Sequence, residues 1–139
     1  MSLEAYRKAQ TVSESPRQTE YRLFAQVTRA LITARDEAQT GAALINTLDW
    51  NRRLWSTLST DCGAQGNGLP KPLRAQIISL ALWVSRYSSE VARGKADIDA
   101  LIDVNSAIME GLAMQQQNAA ASGANAAADA PRGPRINSV

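Results

Sequence analysis

The sequence predicts an all-α protein, a small helical bundle of about five helices with a disordered C-terminal tail. Two observations carry that prediction. Apolar residues recur at the 3.6-residue helical period through most of the first 114 positions, while the period-2 alternation of a half-buried strand is absent. The helical runs are also punctuated by Gly and Pro at positions that start or stop helices. With 139 residues, 45% hydrophobic and 20% charged, the chain has the size and balance of one soluble domain.

The first stretch, Leu3–Gln10, is too short to hold as an isolated helix in water. The second opens with Ser15 followed by Pro16, an N-cap and a residue suited to the first helical turn. Over about 16–38 it places Leu23, Phe24, Val27, Ala30, Leu31, Ala34 and Ala38 on one face, with Arg22, Arg29, Thr33 and Glu37 opposite. The third, about Gly41 to Ser59, has Leu44, Leu48, Trp55 and Leu58 as its main stripe. Trp50 and Leu54 fall on one flank of that stripe and Ile45 on the other. Asn51 falls within the stripe, so its amide needs a partner or an edge position: burying it unpaired costs about 1–3 kcal/mol.

Residues 61–69, DCGAQGNGL, read as a loop from their three glycines, Asn and Asp. The fourth helix begins near Pro70 or Pro72 and ends at Gly94, a residue suited to the left-handed position after a helix. Its stripe is Leu73, Ile77, Leu80, Val84, Tyr87 and Val91, and a second apolar set, Ala75, Ile78 and Leu82, lies on the opposite side. A helix with two apolar sides is either central in a bundle or has a partner on its second face. The fifth helix, about 97–114, turns Ile98, Leu101, Ile102, Ile108, Met109 and Leu112 inward, with Asp97 placed to cap it. The remaining residues, 115–139, hold only Ile136 and Val139 as large apolar residues. That is too little to offset the entropy of ordering them, although the alanine run can flicker into helix. The expected organisation is therefore a helical domain over 1–114 and a disordered Ala/Gln-rich tail over 115–139.

Composition argues against catalysis. The chain has no histidine and one cysteine, Cys62, which leaves out the commonest general base, a Cys-rich zinc site and an intrachain disulfide. Cys62 lacks the base that would activate it. Asp97, Asp99 and Asp103 read as a solvated helix face, since carboxylates without a binding loop do not make a calcium site. GAQGNG lacks the lysine, the following Ser/Thr and the preceding strand of a phosphate-binding loop. We expect no enzyme activity, no metal and no cofactor. The net charge of +2 is spread along the chain without a basic block, so direct nucleic-acid binding is not expected. The N-terminus has no signal-like apolar stretch and no run spans a bilayer, so the expected location is cytoplasmic, away from membranes.

Partner binding is the remaining class. Trp50 and Trp83 lie off the main stripes, where flank packing and a binding surface each account for them, whereas Trp55 reads as core. The candidate groove is Trp50, Leu54, Ile78, Leu82 and Trp83, with Arg52, Arg53 and Arg86 as its rim. If the fourth helix is simply central, these apolar residues are buried instead.

Four segments, SPRQTEYRLFAQVTRAL (15–31), DWNRRLWSTLSTDC (49–62), LPKPLRAQIISLALWVSRYSSEV (69–91) and DVNSAIMEGL (103–112), resemble in order and spacing the FlaF family of flagellar biosynthesis regulators. The resemblance covers about residues 1–114. It implies a small cytoplasmic protein that binds flagellin as a secretion chaperone or adaptor and promotes flagellin synthesis and export for flagellum assembly and motility. FlbT, which restrains flagellin translation, and the flagellar export apparatus are further partners it implies. It carries no catalytic residues. The alternative is a post-transcriptional regulator of flagellin mRNA translation, acting with or against FlbT.

Overall fold

A computed structural model describes residue 3, residues 16–64 and residues 68–129. Four helices make up its regular structure among the described residues: α1 (Pro16–Asp36), α2 (Gly41–Gly63), α3 (Lys71–Ala92) and α4 (Asp99–Asp129). The chain is all-α, with four described helices where the sequence suggested five. The short stretch Leu3–Gln10, apart from an exposed Leu3, lies outside the described residues, as does the Ser15 cap.

Short connections make successive helices antiparallel, the up-down-up-down arrangement of a four-helix bundle. Cross-helix contacts set the register. Arg35 Nη1 at the end of α1 donates to Asp99 Oδ1 at the start of α4 (2.9 Å). Arg52 Nη2 of α2 donates to Ser89 Oγ of α3 (3.4 Å). Tyr87 Oη donates to the Asp97 carbonyl just before α4 (2.6 Å). Packing is extensive for α2 on α3, α1 on α4 and α1 on α2, and light between α3 and α4.

The predicted stripes meet in the core. Phe24, Val27, Leu31, Leu48, Trp55, Leu58, Ile77, Val84, Leu101, Ile108 and Leu112 are buried, and the Phe24 ring meets Trp55 edge to face at 5.4 Å. Inside this apolar core lies a polar chain. Trp55 Nε1 donates to Asn105 Oδ1 (2.8 Å), and Asn105 Nδ2 donates to Asn51 Oδ1 (2.8 Å) and Thr28 Oγ1 (3.2 Å). Thr28 Oγ1 in turn donates to Met109 Sδ (3.7 Å). The side chains of Trp55, Asn51 and Asn105 are wholly buried. Asn51 Oδ1 thus finds its partner in the amide of Asn105, while Asn51 Nδ2 is buried without an acceptor, and one side chain on α4 fastens α1 and α2.

Helix ends account for the departures from expectation. The helix expected to stop at Ser59 continues to Gly63, so Asp61, Cys62 and Gly63 are helical and Cys62 is buried in the core. Cys62 lies seven residues after Trp55 and four after Leu58, which extends their stripe by one turn. Ala38, expected on the core face of the first long helix, instead stands exposed beyond the end of α1 with φ of 50°. There Gln39 N donates to Ala34 O and Ala38 N to Arg35 O, the paired bonds of a Schellman cap with Ala38 in the left-handed position. The end of α3 repeats the arrangement: Lys95 N donates to Glu90 O and Gly94 N to Val91 O, with Gly94 at φ of 73°. Pro70 caps α3, with Pro72 in its first turn, and Asp97 Oδ1 accepts from Asp99 N at the start of α4 (3.0 Å). Finally, α4 runs past 114 to Asp129, so residues 115–129 of the expected disordered tail are helical, in keeping with the high helix propensity of their alanines. The last ten positions lie outside the described residues.

These ends and the polar chain set the effect of three substitutions on stability. Asn105→Ala strands the buried Trp55 N–H and the acceptors of Asn51 and Thr28, so urea unfolding should show a loss of about 3 kcal/mol. An alanine in the left-handed region costs about 1–2 kcal/mol, partly offset by the greater freedom that glycine brings to the unfolded chain. Ala38→Gly should therefore raise stability by up to about 1 kcal/mol in thermal unfolding, and Gly94→Ala should lower it by a similar amount.

Candidate functional site

The side chains proposed from sequence fall on three surfaces. Ile78 and Leu82 occupy the flank of α3 that faces α2, where Ile78 is 37% and Leu82 60% exposed. Helical rotation of about 100° per residue puts them together with Ser85 and Ser89 and roughly 100–140° away from Trp83. Trp83 lies on the opposite flank, half-buried against the core and stacked on Tyr87 with ring centroids 4.6 Å apart. Since Tyr87 Oη holds the Asp97 carbonyl, Trp83 supports the connection between α3 and α4. Trp50 (38% exposed) and the half-buried Leu54 share a third surface. It is the flank of α2 that carries Asp61, which faces Glu20 of α1.

The rim arginines divide in the same way. Arg53 is exposed and pairs with Asp49 one turn earlier (3.4 Å). Arg86 is exposed on α3, one turn beyond Leu82. Arg52 is half-buried in a cleft of about 320 Å³ between α2 and α3, lined also by Ser56, Ser59, Thr60, Ala81, Leu82 and Ser85. Its Nη2 reaches Ser89 Oγ, while its Nε is buried without an acceptor. Ile45, noted in the sequence only as a flank residue, is 53% exposed on the same side of α2 as Arg52. Ile45, Arg52, Leu82 and Ile78 therefore run along one outer face of the α2–α3 pair. Leu82 and Arg52 meet in its cleft.

A second groove, of about 500 Å³, lies between α1 and α4. Tyr21, Ala25, Ile32, Met109 and Ala113 give it an apolar lining, with Arg29 on the α1 lip and Glu110 on the α4 lip. Sequence reading did not identify it, because its walls come from segments about 80 residues apart and each contributes only flank positions. The pattern Tyr21, Ala25, Ile32 beside the main stripe of the first long helix is the signal that was present.

Among the described residues, Glu20 and Cys62 are ionisable groups that burial perturbs. At the end of the bundle where α1 begins and α2 ends, Arg17 pairs with Glu20. Burial raises the Glu20 carboxyl above its ordinary value despite the opposing attraction of Arg17. Burial also raises the Cys62 thiol, the reverse of the shift that activates a nucleophile. Asp99, one of the three aspartates considered above, is held by Arg35. Among the described residues, no helix is long and apolar enough to cross a membrane.

The bundle carries these two clefts, and residues 2–112 match the family described as flagellar protein FlaF. The chain belongs to the FlaF family. The match takes in all of α1, α2 and α3 and ends within α4 at position 112. The resemblance read from the four sequence segments is thereby established, and FlaF membership makes this a flagellar protein. No curated protein and no solved structure gives a match to the chain. The helical residues 113–129 extend beyond the part that FlaF proteins share.

The placement of the side chains separates two kinds of substitution. Leu82→Asp removes no buried contact and should leave the thermal midpoint within the scatter of an exposed substitution, about 0.5 kcal/mol. Trp83→Ala removes a ring stacked on Tyr87 and packed against the core, and should cost about 2 kcal/mol by urea titration.

Proposed function

We propose that this FlaF protein binds flagellin in the cytoplasm as a secretion chaperone or adaptor, and so promotes flagellin synthesis and export. The observation that supports this reading is the outer face of α2 and α3. The core is complete without Ile45, Ile78 and Leu82, yet these side chains remain exposed on one side of the bundle. The ends of a flagellin chain are long amphipathic segments that must be kept from assembling before export. A bundle with a spare apolar face can cover such a segment as a helix laid along a groove. Ordering the bound segment costs several kcal/mol, which holds affinity at a level compatible with release at the export machinery.

Calorimetric titration of the purified protein against monomeric flagellin, full-length and lacking either terminus, tests the reading. A saturable complex that one truncation abolishes is the expected result, and identifies the segment bound. No complex with full-length flagellin would end the chaperone reading, and would direct the search to FlbT and the export apparatus as partners.

A further inference from the structure

We propose that the outer face of α2 and α3 takes an acidic amphipathic helix, with a carboxylate of the partner on Arg52 and a large apolar side chain against Leu82. The identity of the partner rests on the flagellin reading; the location and chemistry of the surface rest on the following observations.

Several arginines of the bundle have a carboxylate: Arg17 has Glu20, Arg35 has Asp36 and Asp99, Arg53 has Asp49 and Arg93 has Glu90. Arg52 has none among the described residues. Its one hydrogen bond is the long contact to Ser89 Oγ, and its Nε is buried without an acceptor; Arg74 Nε shares that condition, but of the two only Arg52 lines the cleft beside Leu82. A guanidinium withdrawn from water with an N–H unsatisfied is under-compensated, and a carboxylate is the acceptor that matches its planar fork. The serine and threonine hydroxyls that line the cleft beside it are neutral and add no negative charge. Arg86, one turn from Leu82, is likewise without a carboxylate partner among the described residues, and deepens the positive potential along the face.

The geometry also limits the partner's sequence. Arg52 Nη2 reaches Ser89, seven residues and about 10 Å along α3 from Leu82, so the carboxylate and the apolar anchor lie about two helical turns apart, near seven residues in sequence. Ile78 lies one turn from Leu82 along α3 and takes the next apolar residue on the same side. Ile45 lies seven residues before Arg52, about 10 Å along α2, and gives that end of the face an apolar contact. The partner is thus an amphipathic helix of several turns, acidic beside its apolar stripe. The groove between α1 and α4 has both an arginine and a glutamate at its lips and has no comparable preference for charge.

The test uses the full chain with two probes. The first is monomeric flagellin, titrated against the wild type, Arg52→Glu and Leu82→Asp, with Arg29→Glu in the other groove as a comparison. Arg52→Glu and Leu82→Asp should each weaken binding at least tenfold, and Arg29→Glu should leave it unchanged. Wild-type binding that survives Arg52→Glu and Leu82→Asp overturns the surface while leaving the flagellin reading intact. The second probe does not depend on flagellin. It is a synthetic helical peptide with Leu and Glu seven residues apart, together with a twin carrying Lys for each Glu. Chemical-shift mapping on isotope-labelled protein should place the acidic peptide at Ser59, Leu82 and Ser85. The acidic peptide should bind at least tenfold tighter than its twin, and Arg52→Glu should reverse the preference. Equal binding of the two peptides, shifts centred on Tyr21 and Met109, or displacement of the peptide by an RNA oligonucleotide with steep salt dependence would overturn the proposal. Circular dichroism melts verify that each variant is folded, and Arg52→Gln replaces Arg52→Glu if the reversed charge disturbs the bundle.

Discussion

The architecture depends on the amide of Asn105. It accepts from Trp55 and donates to Asn51 and Thr28, so three helices share one fully buried polar group. Apolar stripes can slide past one another by a turn with modest loss of buried area, because leucine and isoleucine contacts are not directional. An amide with defined donors and acceptors cannot, since a shift of one turn would leave several polar groups buried and unpaired. The neighbouring edge-to-face contact of Phe24 on Trp55 adds a second directional constraint at the same level. The fold is therefore held in register at its middle, and its ends need only short connections and caps.

That internal fixing frees the outer face of α2 and α3 for other work. Because Trp55, Asn51 and Leu58 turn toward the core, the adjoining flank of α2 carries Arg52 and the cleft hydroxyls. On α3, Ile77, Val84 and Ser88 turn inward, which leaves Ile78 and Leu82 outside. Core and surface are thus adjacent strips of the same two helices. A substitution that turned either helix about its axis would alter both at once, so the order of the core and the shape of the surface are coupled.

Much of the fold could be read from the sequence because the main stripes are regular and glycine and proline mark several boundaries. Gly94 ends α3 where its conformational freedom suggested, and Asn51, by interrupting an apolar stripe, called for either a partner or an edge position. Asn105 interrupts the stripe of Leu101, Ile108 and Leu112 in the same manner, and pairing the two asparagines needed only that both interruptions be noticed. Cys62 was misplaced because glycines around it outweighed its periodicity with Trp55 and Leu58. Ala38 was misplaced because alanine gives no signal of a left-handed cap. The candidate site was less legible. Trp50, Leu54, Ile78, Leu82 and Trp83 are all off-stripe, but the direction in which each leaves its stripe matters only once neighbours are known. Trp83 faces Tyr87, while Leu82 faces the cleft of Arg52. The single-helix view also hides any groove built by two distant segments, which is why the one between α1 and α4 went unseen.

The light packing of α3 on α4 gives the bundle one loose seam in an otherwise closed ring of contacts. The helices in order α4, α1, α2, α3 behave as a folded strip whose outer edges are latched by the Trp83–Tyr87 stack and the Tyr87 hydrogen bond to Asp97. Local opening of a protein follows its least-tied contacts, at a free energy below that of global unfolding. The helix that bears Ile78 and Leu82 thus combines extensive packing on α2 with a lighter contact to α4.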